Sequence, residues 1–121
     1  MFTDIKLMQT ASMLARYAAE RNAQVAENIA NADTPGFKAK DLEPFSEAYA
    51  RAERAEALSP DRRGFSIEKI GIEGVASPDG NTVSLEDQMT RSAAAARDHS
   101  TALTIYSKAL SMLRTSLGGR G

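Results

Sequence analysis

All four prolines (Pro35, Pro44, Pro60 and Pro78) and five of the eight glycines (Gly36, Gly64, Gly71, Gly74 and Gly80) fall between residues 35 and 80, and the other three glycines close the chain. Proline removes a backbone donor and clashes with the preceding helical turn, and glycine costs roughly 1 kcal/mol in a helix interior. Long helices can therefore form only in the flanks. The layout predicts an N-terminal helical segment over 1–34, an irregular Pro/Gly-rich middle over 35–80, and a C-terminal helical segment with a loose tail over 81–121.

Each flank carries a helical stripe. In the first, Leu7, Ala11, Leu14, Ala18, Asn22, Val25 and Ile29 recur at steps of three and four, predicting a helix over 4–32 with Thr3 and Asp4 as capping candidates. The intervals Leu7 to Ala18 to Ile29 and Leu14 to Val25 suggest an eleven-residue period. In the second flank, Ser84 suits an N-cap, with Glu86 and Asp87 in the first turn. Leu85, Met89, Ser92, Ala96, His99, Leu103, Tyr106, Leu110, Leu113 and Leu117 then alternate by four and three, the pattern of a coiled-coil seam over 84–117. The expected fold is all-α, the two long helices pairing as an antiparallel coiled coil. In the middle, 45–58 reads as a short helix, and Phe65, Ile67, Ile70 and Ile72 suggest a brief hairpin over 65–73.

The composition is thin in core material. Alanine supplies 21 of the 51 hydrophobic residues, while Leu, Ile, Val and Phe together number 22 in 121 residues, below the roughly 20% at which a self-sufficient core becomes doubtful. With a net charge of −1 the chain lacks the self-repulsion of a disordered polymer. Long Ala-rich helices that need neighbours to cover them are the better expectation, and a self-contained enzyme with a deep pocket is a poor one.

Other classes recede on similar grounds. No run of Lys and Arg offers a footprint for nucleic acid or an anionic membrane, and no stretch of about 18 apolar residues spans a bilayer. Without cysteine there is no disulfide, thiol nucleophile or Cys-ligated metal. Asp4, Lys6, Gln9, Arg16 and Glu20 interrupt the N-terminus, so no cleavable signal peptide is expected. Asp98, His99 and Ser100 bring triad residue types together, but consecutive helical residues point about 100° apart and cannot line up as nucleophile, base and orienter. His99 has no second ligand three or four residues away, so neither a metal nor another cofactor is expected. The pair Arg62 and Arg63 reads as solvated, or as facing an acidic neighbour in an assembly.

The most informative string is Asn28-Ile29-Ala30-Asn31-Ala32-Asp33-Thr34-Pro35-Gly36-Phe37-Lys38-Ala39. As chemistry it is a helix exit: Asn31 and Asp33 suit local backbone hydrogen bonds, Pro35 pushes Thr34 out of the helical region, Gly36 permits a positive φ, and Phe37 is expected as a buried anchor. As a string it resembles the signature of the flagellar axial proteins, the rod, hook and filament-junction family. Asp79-Gly80-Asn81-Thr82-Val83, followed by Ser84-Leu85-Glu86-Asp87, resembles the entry to the C-terminal helix of the smallest rod members. The resemblance covers residues 1–42 and 76–118.

The resemblance implies a structural part in which paired terminal helices stack helically into a hollow tube. The implied partners are further copies, other rod proteins, a membrane-ring adaptor and the flagellar export gate, with no nucleic acid and no small-molecule substrate. It also implies export by the flagellar type III apparatus to a periplasmic rod. Another short rod member of the same family, or a free-standing coiled-coil adaptor or chaperone, is the competing reading.

Overall fold

The computed structural model describes residues 2–58 and 64–118; the Arg62 and Arg63 pair lies outside them. The order is α1 (Phe2–Ala30), β1 (Lys40–Leu42), α2 (Phe45–Leu58), β2 (Lys69–Gly71) and α3 (Leu85–Ser116). The chain is mostly helical, with long N- and C-terminal helices, but not wholly so, because β1 and β2 form a two-stranded ladder.

α1 starts two residues before the expected position, so Thr3 and Asp4 lie inside its first turn, where Asp4 is an acidic group near the helix's positive end. It stops at Ala30, where the Asn31 N–H is shared between the carbonyls of Glu27 and Asn28 at 3.2 and 3.1 Å and the chain tightens into turns. α3 begins at a non-helical Ser84 (φ −109°, ψ 117°), whose hydroxyl accepts the Asp87 N–H at 3.2 Å. It ends where Gly118 takes φ +79°, the left-handed step that glycine makes without a Cβ penalty.

α1 and α3 lie side by side and antiparallel: Asn28, near the end of α1, hydrogen-bonds Gln88, near the start of α3. The residues they bury against each other are small. On α1 these are Ala11, Ala18 and Val25, and on α3 Ala95, Ala102 and Ala109. Both sets repeat every seven residues, so the eleven-residue reading of α1 is incorrect: Ile29, on that line, is 43% exposed. The seam expected on α3 is also displaced by one position. Leu85, Met89, Leu103, Tyr106 and Leu117 are exposed, while Ala102, the residue before Leu103, is 1% exposed. Alanine wins the inner position because helices meeting through small side chains approach to about 8 Å, where each residue contacts the opposite backbone.

The middle segment packs along α1, with α2 beside Thr10 and Tyr17 and β1 beside Arg21 and Asn28. β1 and β2 are antiparallel, with Lys40 opposite Gly71, Asp41 opposite Ile70 and Leu42 opposite Lys69. The expected local hairpin over 65–73 is thus replaced by a long-range pairing. α2 follows Pro44, whose carbonyl accepts the N–H groups of Glu47 and Ala48. Ala48 and Ala52 are its buried residues, Phe45 meets Tyr17 of α1 edge-on at 5.5 Å, and the Tyr49 and Thr10 hydroxyls share a hydrogen bond at 3.3 Å.

Candidate functional site

Asn28 is the centre of a buried polar cluster at the junction of α1, β1 and α3, with none of its surface exposed. Its Nδ2 donates to the Lys40 carbonyl at 2.7 Å and to Gln88 Oε1 at 3.0 Å. Its Oδ1 accepts from the Lys40 N–H at 3.2 Å and from Gln24 Nε2 at 3.1 Å. One side chain therefore serves both backbone groups of Lys40, as a neighbouring strand would, while bridging two glutamines. Lys40 also fixes which way the amide points, since its N–H needs the oxygen and its carbonyl the nitrogen.

The rest of the exit motif is bound to the segment that introduces α3. The Asn81 side-chain nitrogen donates to the carbonyls of Asn31 at 2.9 Å and Thr34 at 2.7 Å, and its oxygen accepts the Val83 N–H at 2.8 Å. Asn31 holds the turn from within, donating to Glu27 and accepting from the Thr34 hydroxyl. The Gly36 N–H reaches Asp79 at 2.9 Å, the Thr82 N–H reaches Phe37 at 3.0 Å, and the Ala39 N–H reaches the Thr82 hydroxyl at 2.8 Å. Gly36 and Gly80 both have positive φ (75° and 86°), and a Cβ on Gly80 would sit 3.5 Å from the Gly36 Cα. Two motifs about forty residues apart thus form one joint. Asp33, Thr34 and Pro35 are exposed and Phe37 is only half-buried. Phe37 is therefore not the buried anchor; Asn81, 3% exposed, is.

Next to this joint, Asp41 ties three elements. Arg21 of α1 meets it with two bonds of 3.1 Å, Arg91 of α3 holds the same carboxylate, and the Leu42 N–H donates to it at 2.7 Å. Burial pushes this carboxyl upward, but the Arg21 bonds, the Leu42 N–H and Arg91 together outweigh burial and hold it below the usual aspartate range. Glu43 is its counterpart on the α2 side: Arg51 lies 2.7 Å away, the Glu68 N–H donates at 2.9 Å, and the Tyr17 hydroxyl donates to the Glu43 carbonyl at 2.7 Å. Burial raises the Tyr17 hydroxyl above its ordinary value.

The sequence stripes are divided by the fold. Val25 lies in the α1–α3 interface, and Leu14, Leu110 and Leu113 are half-buried. Leu7 and Ile29 on α1, and Leu85, Met89, Leu103, Tyr106 and Leu117 on α3, turn large apolar surface outward. His99 is exposed and lines a shallow groove of about 360 Å³ with Ala18, Ala19, Asn22, Ala95 and Ala96. Asp98 is half-buried and Ser100 exposed on the same helix. No group of three or more His, Cys, Asp or Glu with metal-binding placement occurs among the described residues, and no described helix is long and apolar enough to cross a membrane. Gln24, Gln88, Arg21 and Arg91 had no signature in the sequence, because polar residues at helical spacing look solvated until a partner is placed beside them, and Glu43 in the middle segment was equally silent.

What this arrangement offers is a rigid joint and exposed helix faces, the equipment of a building part. Residues 17–38, which hold Asn28 and the exit turn, match the family described as Flagella basal body rod protein. The chain is 31% identical over 99 residues to the flagellar basal body rod protein FlgB of Agrobacterium fabrum, covering 72% of this chain and 74% of the relative. It is 29% identical over 111 residues to the protein of the same name from Aeromonas hydrophila, covering 83% of each. With its helix exit, its α3 entry and most of its length accounted for in this way, the chain belongs to the FlgB family of flagellar basal body rod proteins, structural subunits of the rod.

Proposed function

We propose that the chain is a proximal-rod subunit that links the membrane ring and export gate to the more distal rod, built in by lateral packing of its helix pair. The observation that carries this is the outward row on α3. Leu85, Met89, Leu103, Tyr106 and Leu117 are 40 to 70% exposed although they are among the largest apolar side chains in the chain, while alanines fill the internal interface. Such a row favours association. The heptad spacing of the buried alanines supports an antiparallel coiled coil as the packing unit. The neighbours are further copies, other rod proteins and the membrane-ring adaptor. The Asn28–Asn81 joint sets where the middle segment leaves the pair and turns back along α1, leaving the outward row on α3 uncovered. Arrival at this periplasmic position is through the flagellar type III apparatus.

A photo-crosslinking residue placed at Leu103 or Tyr106 in cells lacking the native copy tests this reading. Crosslinks to rod components in purified basal bodies, lost when the crosslinker is moved to inward-facing Ala102, are the expected result. Basal bodies that contain none of the chain would overturn it and favour a free-standing adaptor.

A further inference from the structure

The ladder has one closed edge and one open edge. Beyond its three paired positions, the Ile72 N–H reaches Ala39 at 3.0 Å and the Glu43 N–H reaches the Glu68 carbonyl at 2.9 Å, so pairing extends over 39–43 and 68–72. Alternate residues of an antiparallel strand turn their backbone groups to the same side. On β1 the outward residues are Lys40 and Leu42, and both are occupied: Asn28 takes the Lys40 N–H and carbonyl, and Asp41 takes the Leu42 N–H. On β2 the inward residues are Glu68, Ile70 and Ile72. Lys69 and Gly71 therefore direct their N–H and C=O groups away from β1, and Ile67, Glu73 and Val75 would continue this alternation in a longer extended strand.

That second edge is open among the described residues. Lys69, Ile70 and Gly71 are all exposed, a Cβ on Gly71 or Gly74 would meet nothing within 4 Å, and Ile70 and Val75 are 46% and 99% exposed. An unpaired, proline-free edge is a template for another strand.

We propose that a second copy of this chain adds its own β2 to this edge, antiparallel, about a two-fold axis at Gly71. Of the two-fold registers, this one sets the opposite charges face to face. Lys69 falls opposite Glu73 of the partner and Glu73 opposite Lys69, Ile70 opposite Ile72, and Ile67 opposite Val75. The pairs 67–75, 69–73 and 71–71 would be the hydrogen-bonded ones, in step with the outward backbone groups of Lys69 and Gly71. Centring the contact on Lys69 or Glu73 would set like charges face to face. Lys69 is only loosely engaged at home, its Nζ 4.0 Å from the half-exposed Glu27 carboxylate, so it is available to the partner. The product is a four-stranded sheet joining two subunits. An isologous contact closes on itself, whereas a polar tube needs open, heterologous ones. The dimer is thus a state separate from the rod contact, and it uses none of the α3 row.

Sedimentation velocity on the purified full chain tests the proposal, with circular dichroism confirming that each variant is folded. The wild type should dimerise. Lys69→Glu and Glu73→Lys each create two like-charge pairs and should weaken the dimer roughly tenfold or more, and the double variant Lys69→Glu/Glu73→Lys should restore it. Leu103→Asp should leave the dimer intact. A monomer at every concentration, a dimer indifferent to both single variants, failure of the double variant to restore it, or loss of the dimer with Leu103→Asp would each overturn the proposal without touching the rod assignment.

Discussion

Asn28→Ala removes one side chain and leaves four groups without their partner: the Lys40 N–H and carbonyl, Gln24 Nε2 and Gln88 Oε1. They do not suffer equally. Lys40 is exposed, so water can replace part of what it loses, whereas Gln24 and Gln88 are 2% and 0% exposed. A stranded buried polar group costs about 1–3 kcal/mol, so the two glutamines alone account for about 2–6 kcal/mol. Gln24 Oε1 and Gln88 Nε2 have no partner among the described residues even with Asn28 in place. The space vacated would let the glutamines turn toward each other and recover one bond, worth about 1 kcal/mol. The expected net loss is about 3 kcal/mol, a large fraction of the roughly 5–15 kcal/mol that holds a typical domain folded. In urea, with a slope near 1.5 kcal/mol/M, the midpoint should fall by about 2 M.

Asn28→Asp sharpens the test. The introduced carboxylate can still accept from the Lys40 N–H and Gln24, and Gln88 can turn its Nε2 toward it, but it faces the Lys40 carbonyl with no proton to offer. At neutral pH this variant should be less stable than wild type, and it should recover as the pH falls, because protonation turns one oxygen back into a donor. That direction is opposite to ordinary acid denaturation. A loss below about 1 kcal/mol for Asn28→Ala, or an Asn28→Asp variant as stable as wild type at neutral pH, would refute the view of Asn28 as the joint's centre.

Three further outcomes follow from the same geometry. Because the folded-state pKa of Asp41 is depressed, the stability it contributes is fully present above its unfolded value near 3.8 and is lost as the pH falls through the lower folded value. Asp41→Asn should cost about 1–3 kcal/mol at neutral pH by taking the carboxylate from Arg21, while Arg91 keeps Asp87, and should flatten the acid limb of a stability–pH curve; an unchanged limb would contradict this. Gly36 sits at φ +75° with nothing near its missing Cβ, so the penalty there is conformational and not steric: Gly36→Asn should be mild, whereas Gly36→Val should cost about 2 kcal/mol, measured by thermal melts and swimming assays. Ala102→Leu should destabilise by about 1–3 kcal/mol through overpacking, while Leu103→Asp should change the melt by less than about 0.5 kcal/mol and still abolish motility; equal effects on the melt would mean the two positions are misassigned.

The contrast between Ala102 and Leu103 also explains where the sequence could be understood and where it could not. The positions of proline and glycine were enough to separate two long helices from the middle, because those residues act through their own backbone. The seven-residue repeat on α3 was equally visible, but it exists in two copies one residue apart: 95, 102 and 109, all alanine, and 96, 103 and 110, ending in leucines. Ranking by hydrophobicity selects the second, and the interior uses the first. Hydrophobicity measures what a side chain gains by leaving water, not which neighbour removes it from water, and a close helix pair rewards small size instead. The polar joint was hidden for a related reason: Asn28, Asn81 and Gln88 are ordinary surface residue types until the strand, the turn and α3 are brought around them. In this chain, therefore, the fold is held by alanines and amides while most of the large apolar side chains of α3 face outward. Stability of the single subunit and capacity to join others rest on different residues, so substitutions on one set should leave the other property nearly untouched. A self-contained globular protein, whose largest side chains serve its own core, would not permit that separation.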